Sequence, residues 1–207
     1  MKQHLFSEME QHLLEDAHPS VYLQKQLDEG SFGQPPYTIF GAMEKTEQNP
    51  DYHPEGNVFA HTLLVVDEAA KRRNESRNPR VFMWAALLHD VGKPETTKWR
   101  KGKLTAYDHD IAGAVTARRF LEWLTDEQAF IDRVVGLVRF HMQPFFTGGN
   151  RPWSVLDKLA TESDYREVAL LGLCDRLGRH GVDEANERQR IERFVVQMEE
   201  LLTRKSR

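Results

Sequence analysis

The chain has 207 residues, 29% of them charged, and a formal net charge of −4. That is the size of one domain with a small extension, long enough to bury a real core, and the slightly acidic balance argues against a generic polyanion binder. A single cysteine, Cys174, excludes an internal disulfide and a cysteine-based zinc knuckle and fits a reducing cytoplasm. The N-terminus is polar and lacks the apolar stretch of a signal peptide, and no apolar run approaches the roughly 20 residues of a membrane span.

In chain order, Leu5, Phe6, Met9, Leu13 and Leu14, then Val21, Leu23 and Leu27, predict two short amphipathic helices broken at His18-Pro19, with Ser20 a candidate cap. Gly30–Tyr37 reads as a loop, and Ile39, Phe40 and Met43 as a short surface helix. Asn49–Asn57 (NPDYHPEGN) is a loop whose last residue can cap the helix predicted over Val58–Arg73. Pro79 sits in the first turn of the next helix, which is apolar all round through Val81–Leu88 and ends at His89-Asp90. Gly92 and Pro94 are its stop signals.

Thr96–Tyr107 alternates β-forming residues around Lys101-Gly102, which predicts a small hairpin. Helices follow over Asp108–Leu124 and from a Thr125-Asp126 cap to about Phe140. Pro144 and Gly148-Gly149 make a loop, and three more helices cover Trp153–Ala160, Ser163–Leu177 and Asp183–Leu202. The expected fold is all-α, a helical bundle with one hairpin-like excursion near 96–107. Residues 1–50 are expected to form a helical extension packed on a core at 51–181, with a C-terminal helix over 182–207.

Polar residues interrupt the apolar helices at particular places. His61 lies in the Val58–Arg73 helix, His89 and Asp90 end the next, His109 begins a third, His141 ends a fourth and Asp175 interrupts a fifth. Ala112 and Gly113 near His109, and Gly172 near Asp175, are small and predict free space beside those side chains. Each polar residue alone has an ordinary explanation. His89-Asp90 fits a buried hydrogen-bonded pair, a lone histidine fits a satisfied core residue, and Asp175 fits an ion pair with Arg179 or Arg118. Six such groups in one core each need a partner, and a metal cluster satisfies all of them together.

Trp84, Trp123 and Trp153 read as core or subdomain anchors, and Cys174 as buried packing. Trp99 stands among the four basic residues Lys98, Arg100, Lys101 and Lys103. It fits either a nucleotide or RNA contact or a solvated hairpin. His4, His12, His18, His53 and His180 lie in polar or loop contexts and are set aside.

The order His61, His89-Asp90, Asp175 resembles the HD superfamily of metal-dependent phosphohydrolases. With His109 and His141 the pattern becomes H…HD…H…H…D, similar to the two-metal branch. The segments HPEGNVFAHTLLVVDEA (53–69), AALLHDVGKPETT (85–97) and HDIAGAVTARRFL (109–121) resemble the HD domain of bacterial CCA-adding tRNA nucleotidyltransferases, over about residues 35–180. Those enzymes carry an N-terminal nucleotidyltransferase domain for which the residues before the HD core show no pattern. CCA addition is therefore not implied, and a stand-alone HD protein is expected. Tyr107-Asp108 stands where relatives often have glycine, which sets apart the entry to the second metal position.

The resemblance implies that His61, His89, Asp90 and Asp175 hold a first metal and that Asp90 bridges to a second held by His109 and His141. Asp90 and Lys93 are the implied catalytic residues, Lys93 neutralising a phosphate oxygen unless it is simply solvated. Arg118 and Arg179 are weaker phosphate contacts, with a structural ion pair the better reading of Arg179. The thiolate-free ligand set suits one or two divalent ions among Mn, Fe, Ni, Co, Zn and Mg. The implied substrate is a nucleotide-type phosphate ester, a 2′,3′-cyclic phosphodiester or a phosphomonoester, on a small nucleotide or an RNA end; no DNA or membrane partner is expected. Two other readings share parts of the pattern: a di-iron HD-type oxygenase and a non-catalytic RNA-binding or regulatory module.

Overall fold

The computed structural model describes residues 2–146 and 155–205. Helices α1 (Lys2–Glu15) and α2 (Pro19–Asp28) are separated at His18, with Pro19 in the first turn of α2, where its missing N–H is harmless. Ser20 does not cap α2. Its backbone N–H and its hydroxyl both donate to Asp67 (3.1 and 2.7 Å), fastening α2 to the following long helix.

Helix α3 (Thr38–Glu44) is not a surface helix: Phe40 and Met43 are fully buried. Phe40 joins a ring cluster with Phe32, Phe59 and Phe120, drawn from three other parts of the chain. Helix α4 (Val58–Arg72) begins as expected, with the Asn57 side chain accepting from the Ala60 N–H at 2.8 Å.

Helix α5 (Pro79–Leu88) is the centre of the molecule. Every residue from Val81 to Leu88 is buried, and α5 packs against α1, α4 and the later helices over Gln128–Phe140 and Tyr165–Leu177. Fully buried Trp84 stacks on Phe6 (4.7 Å between rings) and donates its indole N–H to Glu10 at 2.9 Å, so α1 is pinned to α5 by one side chain.

A single turn, α6 (Lys93–Thr96), leads into strands β1 (Lys98–Arg100) and β2 (Lys103–Thr105), which pair antiparallel with Trp99 opposite Leu104. Lys101 and Gly102 both have positive φ (51° and 76°), as a two-residue hairpin turn requires.

Helices α7 (His109–Glu122), α8 (Gln128–Phe140), α9 (Leu156–Glu162), α10 (Tyr165–Leu177) and α11 (Glu184–Lys205) complete the bundle. Helix α8 starts later than its predicted cap. Glu127 takes the capping position, and Thr125 accepts its N–H at 3.3 Å. Trp153 and the Gly148-Gly149 loop lie outside the described residues. Trp123 is no core anchor: it is 61% exposed, because α7 buries Gly113, Ala117, Phe120 and Leu121 and Trp123 points off that face. Among the described residues no helix is long and apolar enough to cross a membrane.

The small residues do something other than leave room. A Cβ on Gly92 would stand 2.2 Å from the His109 carbonyl oxygen and 2.3 Å from the Gly113 nitrogen. The backbone after α5 therefore touches the backbone of α7, and only glycine permits it. The space beside Gly172 is likewise filled, by Pro144 and Ile191.

Gly92→Ala forces two backbones apart and is expected to destabilise by about 3 kcal/mol, or roughly 6–12 °C in Tm at this chain length; thermal unfolding by circular dichroism measures it. Cys174 is fully buried and burial pushes its thiol well above the ordinary range. A thiol reagent at pH 8 should find no reactive sulfhydryl in the native protein and one after denaturation.

Candidate metal centre

Five elements converge behind the end of α5. His61 comes from the first turn of α4, His89 and Asp90 follow α5, His109 opens α7, His141 follows α8 and Asp175 lies in α10. All six are buried, none more than 8% exposed. The sequence singled them out one helix at a time; the fold brings all six together.

Asp90 stands in the middle, and its two oxygens face different groups. Oδ2 lies 3.2 Å from His89 Nε2, 3.9 Å from His61 Nε2 and 2.7 Å from Lys93 Nζ. Oδ1 lies 3.4 Å from His109 Nε2 and 3.8 Å from His141 Nε2. Asp175 Oδ1 sits 3.1 Å from His61 Nε2, and the Nε2 atoms of His109 and His141 are 3.2 Å apart.

These spacings fit metal coordination. Ligand atoms at 2.0–2.2 Å from one ion stand roughly 2.8–3.6 Å apart at octahedral or tetrahedral angles, and all but the 3.8 and 3.9 Å separations from His141 and His61 to Asp90 are close to that range. Among the described residues two such groups share Asp90, His61, His89 and Asp90 on one side and Asp90, His109 and His141 on the other, and a third, His53, Glu55 and His61, adjoins the first. His89 Nε2 is buried without a hydrogen-bond partner and faces this centre. An orphaned imidazole nitrogen in a core is costly unless something else accepts its lone pair.

The ring nitrogens are oriented from behind. His89, His109 and His141 each donate Nδ1–H to the carbonyl three residues earlier, Ala86 (2.8 Å), Ala106 (2.6 Å) and Val138 (2.7 Å). A proton held on Nδ1 leaves the Nε2 lone pair for the centre. The left-handed backbone of Asp108 (φ 62°), a conformation that favours glycine, delivers His109 into this position.

Charge among the protein groups of the centre is balanced internally. Burial would raise the Asp90 carboxyl, but Lys93, His89 and His109 hold it well below the usual range. Asp175 is held low against burial by Arg179, His61 and His89. Burial, then His109 and His89, push His141 down to about 3, and burial lowers His109 as well. His89 is pushed up, against burial, by Asp90 and Asp175. Lowered imidazoles such as His109 and His141 beside ionised carboxylates are in the protonation states that metals take.

A cleft of about 300 Å³ opens onto Asp90, His109 and Asp175. Lys93 and Arg179 put positive charge on its wall, and Tyr52, His53 and the strand end Leu104–Tyr107 form its sides. Lys93 is only 7% exposed and reaches Gln48 Oε1 (2.7 Å) as well as Asp90, so it is not a simply solvated residue. Arg179 pairs with Asp175 at 3.2 Å, the structural role read for it.

Arg118 does not line the cleft; it is held by Asp132 of α8 at 2.7 Å. Trp99 is 70% exposed, but the strand paired with it, not Trp99 itself, lines the cleft. Of the histidines set aside, His4, His12, His18 and His180 line no part of this cleft.

His53 is the exception, since it lines the cleft and its ring packs edge-on against His61 (4.7 Å). Sequence reasoning passed over its neighbour Glu55, whose Oε1 lies 2.7 Å from His61 Nδ1 and 2.9 Å from His53 Nδ1. The His-x-Glu spacing inside the quoted 53–69 segment was the available signal.

The HD domain family profile matches residues 58–179, a span that is more than half of the chain and includes all six converging residues. The chain belongs to the HD domain family, a superfamily of metal-dependent phosphohydrolases. It is 28% identical over 191 residues to the Multifunctional CCA protein of Pasteurella multocida, covering 88% of this chain and 44% of that one. It is 32% identical over 143 residues to the Multifunctional CCA protein of Aromatoleum aromaticum, covering 66% and 34%. A CC-adding tRNA nucleotidyltransferase of Thermus thermophilus is 45% identical over 60 residues, 28% of this chain and 14% of that one. The chain spans less than half the length of these relatives.

Glu55 is held down to about 2 from an ordinary 4.5; burial opposes this, and His61 and His53 outweigh it. A lowered carboxylate stabilises the fold above its unfolded pKa and loses that contribution as pH falls through the folded one. In chelator, wild type should therefore exceed Glu55→Gln in stability at pH 7, and the two should converge between about pH 4.5 and 2. Parallel denaturation curves across that window would contradict the assignment.

Proposed function

We propose that the protein is a metal-dependent phosphohydrolase acting on nucleotide-type phosphate esters, a 2′,3′-cyclic phosphodiester or a phosphomonoester, by attack of water on phosphorus. The observation that carries this reading is the division of labour on Asp90, one carboxylate oxygen facing His61 and His89 and the other facing His109 and His141. His61, His89, Asp90 and Asp175 would hold one divalent ion, and Asp90, His109 and His141 a second. Such ions supply a bound water of lowered pKa and positive charge for phosphoryl oxygens.

The chain's own groups supply the rest. Lys93, 2.7 Å from Asp90 and open to the cleft, neutralises a non-bridging phosphate oxygen, and Arg179 adds a second positive charge on the same wall. The exposed rings of Tyr52 and Tyr107 line the cleft and offer a base a stacking surface. A cleft of about 300 Å³ suits a small nucleotide or a single RNA end, not a duplex. For an RNA end, the basic hairpin with Lys98, Arg100, Lys101 and Lys103 continues from the cleft-lining strand, with Trp99 on its surface. Cations beside the centre favour a phosphate ester over the substrate of an oxygenase, and a buried centre open to a cleft favours catalysis over a purely structural metal.

The test is hydrolysis of a generic diester, 2′,3′-cyclic nucleotides and nucleoside monophosphates after chelation and re-addition of single metals. Turnover restored by at least one metal is expected, and Asp90→Ala should abolish it while leaving helix content intact. Lys93→Ala should lower kcat/KM about 100-fold. Activity retained in Asp90→Ala, or no turnover with any metal in folded protein, would refute the reading.

A further inference from the structure

We propose that Glu55 is the positioning residue that turns His61 toward the metal centre, with His53 clamping Glu55 from the cleft side. The inference rests on the reading of His61 as a metal ligand.

The four histidines differ in where they sit on their helices. His89 and His141 follow helix ends and His109 opens a helix, so each ring finds a carbonyl three residues back to accept its Nδ1–H. His61 lies within the first turn of α4, where the carbonyls behind it are already engaged. Asn57 accepts the His61 backbone N–H at 3.1 Å, and Val58 accepts the Thr62 hydroxyl at 2.9 Å. A histidine inside a helix needs a side chain to orient its ring.

Glu55 provides it. Gly56, at φ 115°, turns the chain between Glu55 and the capping Asn57, and Gln48 ties this turn down through the Asn57 carbonyl at 3.2 Å. The Glu55 side chain is 1% exposed, and its ion-pair partners among the described residues are two imidazoles, His61 and His53. A carboxylate this buried, facing no lysine or arginine at contact distance, is costly to keep unless those rings need it. Its Oε1 lies 2.7 Å from His61 Nδ1, an ion-pair contact too close for a carboxylate oxygen to face a nitrogen lone pair though not aligned as a hydrogen bond, which favours the proton on Nδ1. Nε2 then points to the side where Asp175 and Asp90 stand, 3.1 Å from Asp175 Oδ1, and a metal ion there would take the place of the Nε2 proton that Asp175 accepts. Carboxylate–histidine–metal arrangements of this kind typically change metal affinity 10–100-fold when the carboxylate is lost.

The experiment uses the full chain, wild type, Glu55→Gln and Glu55→Leu, with zinc affinity from chelator competition, the visible spectrum of the cobalt-loaded protein and the melting temperature of the metal-free protein. Glu55→Leu should weaken one of two binding events 10–100-fold and shift the cobalt spectrum, leaving the other event in place. Glu55→Gln, which keeps the shape and a weaker acceptor, should fall between it and wild type, and it carries the test if the leucine variant does not fold. Binding within twofold of wild type and an unchanged cobalt spectrum in the variants would overturn this inference alone. Equal weakening of both events in step with a falling melting temperature would mark Glu55 as merely structural and also overturn it. A wild type that binds no metal would overturn the proposed function and this inference together.

Discussion

A carboxylate that is 2% exposed cannot stand in a helical core without counter-charge, and the architecture around Asp90 follows from that constraint. Lys93 balances it from one turn ahead, and four imidazoles approach it from four helices. Because the two oxygens face separate histidine groups, one side chain joins what would otherwise be two unrelated polar defects into a single centre. Asp175, balanced by Arg179, closes the side next to His61.

The fold delivers these groups by backbone contact more than by loops. Helix α5 is buried from Val81 to Leu88, which fixes the depth at which Asp90 emerges. Gly92 then lets the chain lie against α7 at a distance no side chain tolerates, and that contact sets His109 opposite Asp90. Rings held at Nδ1 by main-chain carbonyls present their Nε2 atoms with little freedom, a preorganisation that metal binding exploits. The same rigidity leaves the cleft walls, the 49–57 loop and the hairpin end, as the parts that differ in character from the core.

Much of this was legible in the sequence. Each of the six converging residues interrupts an apolar helical pattern, and such interruptions are visible without knowing what they face. Asn57 as a cap and Lys101-Gly102 as a hairpin turn follow from local chemistry and are found where expected. Other features depend on partners distant in the chain. Phe40 and Met43 belong to a helix too short to display a face, and they are buried by rings that lie elsewhere in the sequence. Arg118 is taken up by Asp132 on the neighbouring helix, Gly92 and Gly113 serve backbone approach, and the space beside Gly172 is filled by the side chains of Pro144 and Ile191. Glu55 and His53 sit in a loop without periodicity, and only the folded chain shows that they meet His61.

The central claim is that Asp90 unites two metal positions, and manganese titration of chelated protein followed by electron paramagnetic resonance tests it most directly. Two equivalents bound per chain, with the spectrum of two spins coupled through a shared carboxylate, is the predicted result. A single equivalent with the spectrum of an isolated ion, or no binding at all, would contradict it.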